Sequence, residues 1–303
     1  MLGGLRDRLD RRLHDLRCRG ILATPPLAIR PAPLAFCSLV SQRDLIMYLV
    51  AIKSVYRQVG EGTIHVINDG SLTADGIAAL NHHLGDPVIV PIASVDTGAC
   101  PRGGCWERLL HILDLSRDRY VIQVDSDIVA RRAMAEVTQS YRANRSFTLG
   151  TRIGQRIIST AEASANVAAS TTEHIQITAE RALAGLGEAE TRRYVRGCAG
   201  FAGFAAGAVS RAAAAAFSQG MQAQIGPRWS TWGTEQVASN YLIANAPDAL
   251  VLPWPRYASY YPEVSIPDAD LVHFLNQHRF EGGHYARESR AVISALTRGR
   301  PAA

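Results

Sequence analysis

Residues 119–132 read RYVIQVDSDIVARR, and the fold turns on how this stretch is read. Tyr120, Val121, Ile122 and Val124 are aromatic or β-branched and predict a buried strand. Asp125 and Asp127 close that run with only Ser126 between them. Aspartate is a poor strand former and is rarely fully buried unless it is paired or bound to a metal. The two carboxylates therefore need water, a partner or a cation.

Working outward, the segments before this stretch alternate strand and helix. Residues 34–40 predict a strand and 42–59 a helix, with Ser41 as its N-cap. Residues 63–67 predict a second strand, ending in Asn68-Asp69-Gly70-Ser71, and 73–84 a second helix. A third strand at 87–92, a glycine-rich loop at 97–104 and a helix at 106–115 lead to the strand that ends at Asp125. This alternation predicts an α/β chain with a mostly parallel sheet flanked by helices, in one domain. Ligands of such sheets bind beyond the carboxyl ends of the strands, where the Asp69 and Asp125-Ser126-Asp127 turns both fall.

The second half is less regular. Residues 161–185 predict a helix rich in small residues, and 210–224 and 234–244 two more. GCAGFAGFAAG at 197–207 is built from glycine, alanine and two phenylalanines. Residues 250–267 are rich in proline and aromatics, and 271–274 form a short apolar run carrying His273. At the amino end, Leu5, Leu9, Leu13 and Leu16 recur at helical spacing, opposite Arg and Asp. That pattern predicts a helix packed on the main domain, with an oligomer contact or a basic helix on a membrane surface as alternatives. Pro25, Pro26, Pro31 and Pro33 then mark a linker. The expected organisation is a helix and linker over 1–32, a domain over 33–290 and a frayed tail over 291–303.

The composition narrows the function. The chain has 303 residues, 47% hydrophobic and 19% charged, enough for a sizeable core. No apolar run is long enough to span a membrane and no signal peptide is evident, so a cytoplasmic chain is expected, with membrane-peripheral placement as a variant. Net charge is +5, and Lys53 is the sole lysine among the basic residues. Arginine suits bidentate recognition of phosphate or carboxylate. The basic residues are dispersed without interleaved aromatics, so no nucleic-acid partner is expected. Five scattered cysteines, at 18, 37, 100, 105 and 198, predict reduced thiols, and Cys100 and Cys105 have no second Cys/His pair to complete a zinc site.

Two carboxylates at i and i+2 past a strand can reach one divalent cation, and hard oxygen ligands suit Mg²⁺ or Mn²⁺. Such a cation can bridge the phosphates of a nucleoside diphosphate. The plainer alternative is that both aspartates cap a turn.

With VDSD ending a strand, the acidic turn INDGS after an earlier strand and the late LVHF, the chain resembles a glycosyltransferase of the GT-A fold over roughly residues 33–290. The resemblance implies a Rossmann-like sheet and a metal-dependent enzyme of hexosyltransferase type. It implies Asp125, Asp127 and His273 as metal ligands, with His278 and His284 as competitors for the third place. It implies Ser38, Val40 and Asp69 beside the base or ribose, Asp125 and Ser126 beside the donor, and Arg108 on the pyrophosphate or sugar. RGCAGFAGFAAGAVSR implies Gly197, Gly200 and Gly203 at the donor pocket, where the alternative is tight packing. WSTWGTEQ implies Glu235 as general base in an inverting enzyme, or Glu235 or Gln236 beside the donor sugar in a retaining one.

Trp229, Trp232, Tyr257, Tyr260 and Tyr261 are candidates for sugar stacking, though such aromatics are more often core. The tryptophan or lysine motif that follows the late histidine in glycogenin-like and galactosyltransferase-like groups is replaced here by FLNQHRFEGGHY. The implied partners are a UDP- or GDP-sugar and a hydroxyl acceptor, with a polysaccharide or lipid-linked glycan as the acceptor by analogy. The alternatives are a nucleotidyltransferase acting on sugar phosphates, for which SLVSQRDL lacks the glycines, and a non-catalytic nucleotide- or glycan-binding protein of the same fold.

Overall fold

The computed structural model describes residues 2–275 and 278–299, with side chains from residue 8 onward. In chain order, the helices are α1 (Leu2–Cys18), α2 (Leu45–Val59), α3 (Ala74–Leu84), α4 (Trp106–Leu115), α5 (Ala135–Arg142), α6 (Thr160–Val167), α7 (Ile175–Ala182), α8 (Arg211–Ile225), α9 (Thr234–Ala244) and α10 (His284–Thr297). The strands are β1 (Leu34–Val40), β2 (Thr63–Asn68), β3 (Val88–Pro91), β4 (Tyr120–Val124), β5 (Ile128–Ala130), β6 (Phe147–Gly150), β7 (Ile158–Ser159), β8 (Arg193–Tyr194), β9 (Gly197–Phe204), β10 (Leu250–Leu252), β11 (Tyr257–Ser259) and β12 (Leu271–His273). The expected α/β alternation is present. The helix expected over 161–185 is instead α6 and α7 with an irregular stretch between, where Ser170, Thr171 and Thr172 offer side-chain partners that compete with helical hydrogen bonds.

The chain forms two compact units. The first comprises Met1–Pro91, Val124–Thr138 and Pro255–Ala303; the second comprises Ile92–Gln123 and Gln139–Trp254.

In the first unit, β1, β2 and β3 run parallel, with Val40 opposite Asn68 and Asn68 opposite Pro91. The strand ends therefore come level, which sets the Asn68–Ser71 turn beside the end of β1. Ser41 does not cap α2; its hydroxyl donates to Asp44 at 2.5 Å. Helix α2 ends at Gly60, whose φ of 88° is the left-handed geometry that terminates helices. A second, three-stranded sheet has the order β11-β12-β5, β12 pairing parallel with β11 and antiparallel with β5. The Ser54 hydroxyl of α2 accepts from the Ala130 amide at 3.0 Å and ties β5 to that helix.

Lys53 lies fully buried on α2. Its ammonium donates to Thr24 Oγ1 at 2.8 Å, to the Pro25 carbonyl at 2.7 Å and to His83 Nδ1 at 3.1 Å. The proline-rich segment is thus pinned at its start.

Helix α1 packs against α10 and α2, as a packed helix was expected to, but not through its leucines. Among the residues whose side chains are described, His14 and Cys18 are its buried ones, while Leu9, Leu13 and Leu16 are 52%, 48% and 70% exposed. A fully buried leucine gains about 1.5–3 kcal/mol over an exposed one. The inward face is decided by partners on α10: His14 stacks on Tyr285 with ring centres 4.2 Å apart. The side chain of Leu5 and residues 300–303 of the expected tail lie outside the described residues; residues 291–297 of that tail continue α10.

In the second unit the strand order is β10-β6-β9-β4, with β10 parallel to β6 and β6 antiparallel to β9. Its core is aromatic: Trp106 meets Trp229 edge-on at 5.8 Å, and Phe147 meets Phe201 at 5.4 Å. A Cβ on Gly203 would fall 2.3 Å from the Phe147 ring, and one on Gly197 would fall 2.5 Å from Thr148 Oγ1. Close strand packing therefore accounts for both glycines.

Candidate active site

The apolar run 120–124 makes β4, and the chain turns as soon as it reaches Asp125. It re-enters extended structure at β5, directly after Asp127. Pairing of β5 with β12 puts His273 opposite Ile128, and the Phe274 amide donates to the Asp127 carbonyl at 2.9 Å. This register brings a histidine 146 residues away onto the D-x-D turn. His273 Nε2 lies 3.0 Å from Asp127 Oδ1 and 3.8 Å from Asp125 Oδ2. Among the described residues, Asp125, Asp127 and His273 can offer ligand atoms that all lie within 4.8 Å of one another, an arrangement compatible with metal binding. The competitors are engaged elsewhere: His278 contacts Glu281 at 2.9 Å and His284 contacts Arg287 at 2.8 Å.

Asp127 is 6% exposed, and its second oxygen takes a group the sequence reading missed. Arg279 Nη2 lies 2.7 Å from Asp127 Oδ2, with its Nε on the Phe274 carbonyl at 3.0 Å. Burial works against a charged Asp127, but His273 and Arg279 outweigh it and hold the carboxyl down to about 2. The available signal was FLNQHRFEGGHY itself, which places a basic residue six positions after His273. Ser126 accepts from the Tyr285 hydroxyl through its carbonyl, at 3.2 Å.

The other first-unit candidates fare differently. Asp69 sits on the exposed turn after β2, where its carboxylate accepts from the Ser71 amide at 2.9 Å and from the Ser71 hydroxyl. Ser38 and Val40, expected beside the base or ribose, are buried in β1 with no exposed surface. Parallel strands covered on both faces bury their side chains wholly, leaving the turns as the accessible groups.

In the second unit, Arg108 of α4 and Glu235 of α9 are 5% and 3% exposed and form an ion pair at 3.5 Å. Beside this pair, Trp106 Nε1 donates to Thr234 Oγ1 at 3.0 Å, locking the two helix starts together. Arg108 is therefore not on a solvated helix face, and Glu235 is a carboxylate partner. Gln236 is held by two contacts: its Oε1 accepts from the Ala199 amide at 3.2 Å, and its Nε2 donates to Gln176 at 3.3 Å. Gly200 is buried within β9. Trp229 and Tyr257 belong to the core, while Trp232 is 69% exposed.

No family model matches the sequence, and no curated protein matches it. Solved structures do match. The fold is similar to that of the WbbM bifunctional glycosyltransferase, with a TM-score of 0.50 and 11% identity over 88% of this chain and 50% of that one. The chain thus spans half the length of the WbbM chain. It is also similar to an active-site mutant of LgtC, with a TM-score of 0.50 and 11% identity over 85% of this chain and 95% of that one. At this identity the likeness shows the fold, and the fold is GT-A.

Proposed function

We propose that this chain is a metal-dependent glycosyltransferase, moving a sugar from a UDP- or GDP-sugar to a hydroxyl acceptor. The carrying observation is the Asp125–Asp127–His273 cluster at the carboxyl end of β4, in a fold like that of the glycosyltransferases WbbM and LgtC. Two carboxylates and an imidazole suit Mn²⁺ or Mg²⁺. Their spread within 4.8 Å is close to the roughly 4.2 Å between ligands on opposite sides of an octahedral ion. When bound, the ion would supply positive charge to the oxygens of the departing diphosphate.

The chain's own residues would do the rest. Asp127 would hold the ion with Asp125 and His273. Arg279, paired with Asp127 here, carries a planar fork of donors suited to diphosphate oxygens. Asp69 and Ser126 stand on turns at strand ends, where a base and ribose would lie, and Gly200 would border the donor sugar. Glu235 would take the acceptor hydroxyl proton in an inverting reaction, its carboxylate oriented by Arg108. In a retaining reaction Glu235 or Gln236 would lie beside the donor sugar instead. A glycan or lipid-linked glycan acceptor, and a part in polysaccharide assembly in the cytoplasm, extend the reading by analogy of fold.

Calorimetric titration of UDP and GDP with and without Mn²⁺, on the wild type, Asp127→Ala and Asp127→Asn, tests it. The expected result is metal-dependent binding of one nucleotide, lost in both variants while circular dichroism stays unchanged. Binding that ignores both the metal and Asp127 sinks the reading.

A further inference from the structure

A surface helix of a globular protein ordinarily turns its apolar stripe inward. Helix α1 does the opposite. Toward the protein it presents His14, whose Nε2 lies 3.4 Å from Ser289 Oγ, and Cys18, whose thiol reaches the Ala286 carbonyl at 3.9 Å. Toward solvent it presents Leu9, Leu13 and Leu16 at i, i+4 and i+7, one line along the helix, and Leu22 in the following turn is 39% exposed.

The charges around that line have a pattern. By helical position, Arg8 and Arg12 flank the leucines on one side and Arg17 on the other, and all three are exposed. Arg19 follows just beyond the helix, also exposed. Asp10 and Asp15 fall nearer the protein side and are half-buried, Asp15 beside His14 Nδ1 at 3.2 Å. Helix α10, which packs along α1, adds exposed Arg287 and Arg290, while its one acid, Glu288, is buried on Arg131 at 2.8 Å.

We propose that α1 is an in-plane membrane anchor, its leucine line entering the surface of an anionic bilayer and its flanking arginines meeting lipid phosphates. A narrow apolar line with cations on both flanks matches a bilayer surface, where acyl chains lie beneath a sheet of anionic headgroups. A second copy docking leucine to leucine would instead press the same arginine flanks together across a two-fold axis. No helix among the described residues is long and apolar enough to cross a membrane, so this contact is peripheral. The inference stands on α1 and α10 alone and does not depend on the transferase reading.

The test is co-sedimentation of the full chain with vesicles of phosphatidylcholine alone or mixed with phosphatidylserine, at low and high salt. The wild type should bind the phosphatidylserine vesicles and release them at high salt. Leu13→Ser/Leu16→Ser should bind about tenfold more weakly or worse. Arg12→Gln/Arg17→Gln should lose the preference for phosphatidylserine. Because these side chains are exposed, circular dichroism and the urea midpoint should not change, which separates lost binding from lost folding. The proposal is overturned if the wild type ignores phosphatidylserine vesicles, or if the leucine variant binds them as the wild type does. It is equally overturned if light scattering finds a dimer that the leucine variant dissociates while neither protein binds vesicles; the face would then belong to a second copy.

Discussion

Two buried groups show what single residues contribute. Burial lowers Lys53 to about 8 and lowers His83 to about 4, the latter helped by the charge of Lys53 at 3.1 Å. Folded His83 therefore binds fewer protons than unfolded His83 between about pH 6.5 and pH 4. Its contribution to stability is complete above that window and falls as the pH drops through it, by about 3 kcal/mol at most. Lys53 has the same sign in a higher window: stability rises as the pH climbs from about 8 toward 10.5. His83→Gln keeps an acceptor for Lys53 but has nothing to protonate. Urea midpoints at pH 7 and pH 4.5 should show a smaller acid loss in the variant, and equal losses would remove His83 from the account. Arg279 is the second case. Replacing it by Met takes one partner from a carboxylate that is 9% exposed, at a cost of about 1–3 kcal/mol. If Arg279 also reaches the diphosphate, nucleotide affinity should fall about tenfold or more at an unchanged metal requirement. Calorimetry showing wild-type affinity would confine Arg279 to a structural part.

At the scale of elements, β9 and the α4–α9 pair are the informative pieces. Strand β9 is glycine-rich because Phe147 fills the space a side chain would need at Gly203. Gly203→Ala should destabilise by about 1–3 kcal/mol, read from urea denaturation. A neutral result would mean that β6 and β9 can separate at little cost. The α4–α9 pair is stiffened by the Trp106–Thr234 hydrogen bond and the Arg108–Glu235 ion pair at adjoining helix starts. A carboxylate at the first turn of a helix is favoured by the helix dipole as well, so Glu235 has a structural reason to be there beside the proposed catalytic one.

At the scale of the whole molecule, the proposed metal ligands and the proposed base fall in different compact units, each assembled from separate stretches of chain. Their contributions should therefore separate by mutation. Glu235→Gln should keep the thermal stabilisation given by Mn²⁺ and nucleotide, about 2.7 kcal/mol at a hundredfold excess over Kd. Its sugar transfer should fall at least about a hundredfold in an inverting enzyme. Asp127→Asn should lose the stabilisation itself. A Glu235→Gln protein with full transfer activity would leave that carboxylate with only its part in the α4–α9 pair.

Local pattern was enough to set most elements: α9 spans Thr234–Ala244 as its sequence suggested, and β4 stops where Asp125 interrupts the apolar run. Strand and helix periods are written in neighbouring residues, so the sequence by itself determined the α/β alternation, the placing of D-x-D at a strand end and the candidate status of His273. Other features depend on partners far along the chain. The approach of His273 to Asp127 is a matter of register between β12 and β5, and the capture of Asp127 by Arg279 follows from it. Ser38 and Val40 lie at a strand end in sequence but under cover in space. The leucines of α1 carry the right period for a packed helix, yet period alone does not say which face is inward. His14 and Cys18 found partners on α10, and that tertiary choice left the leucines in water.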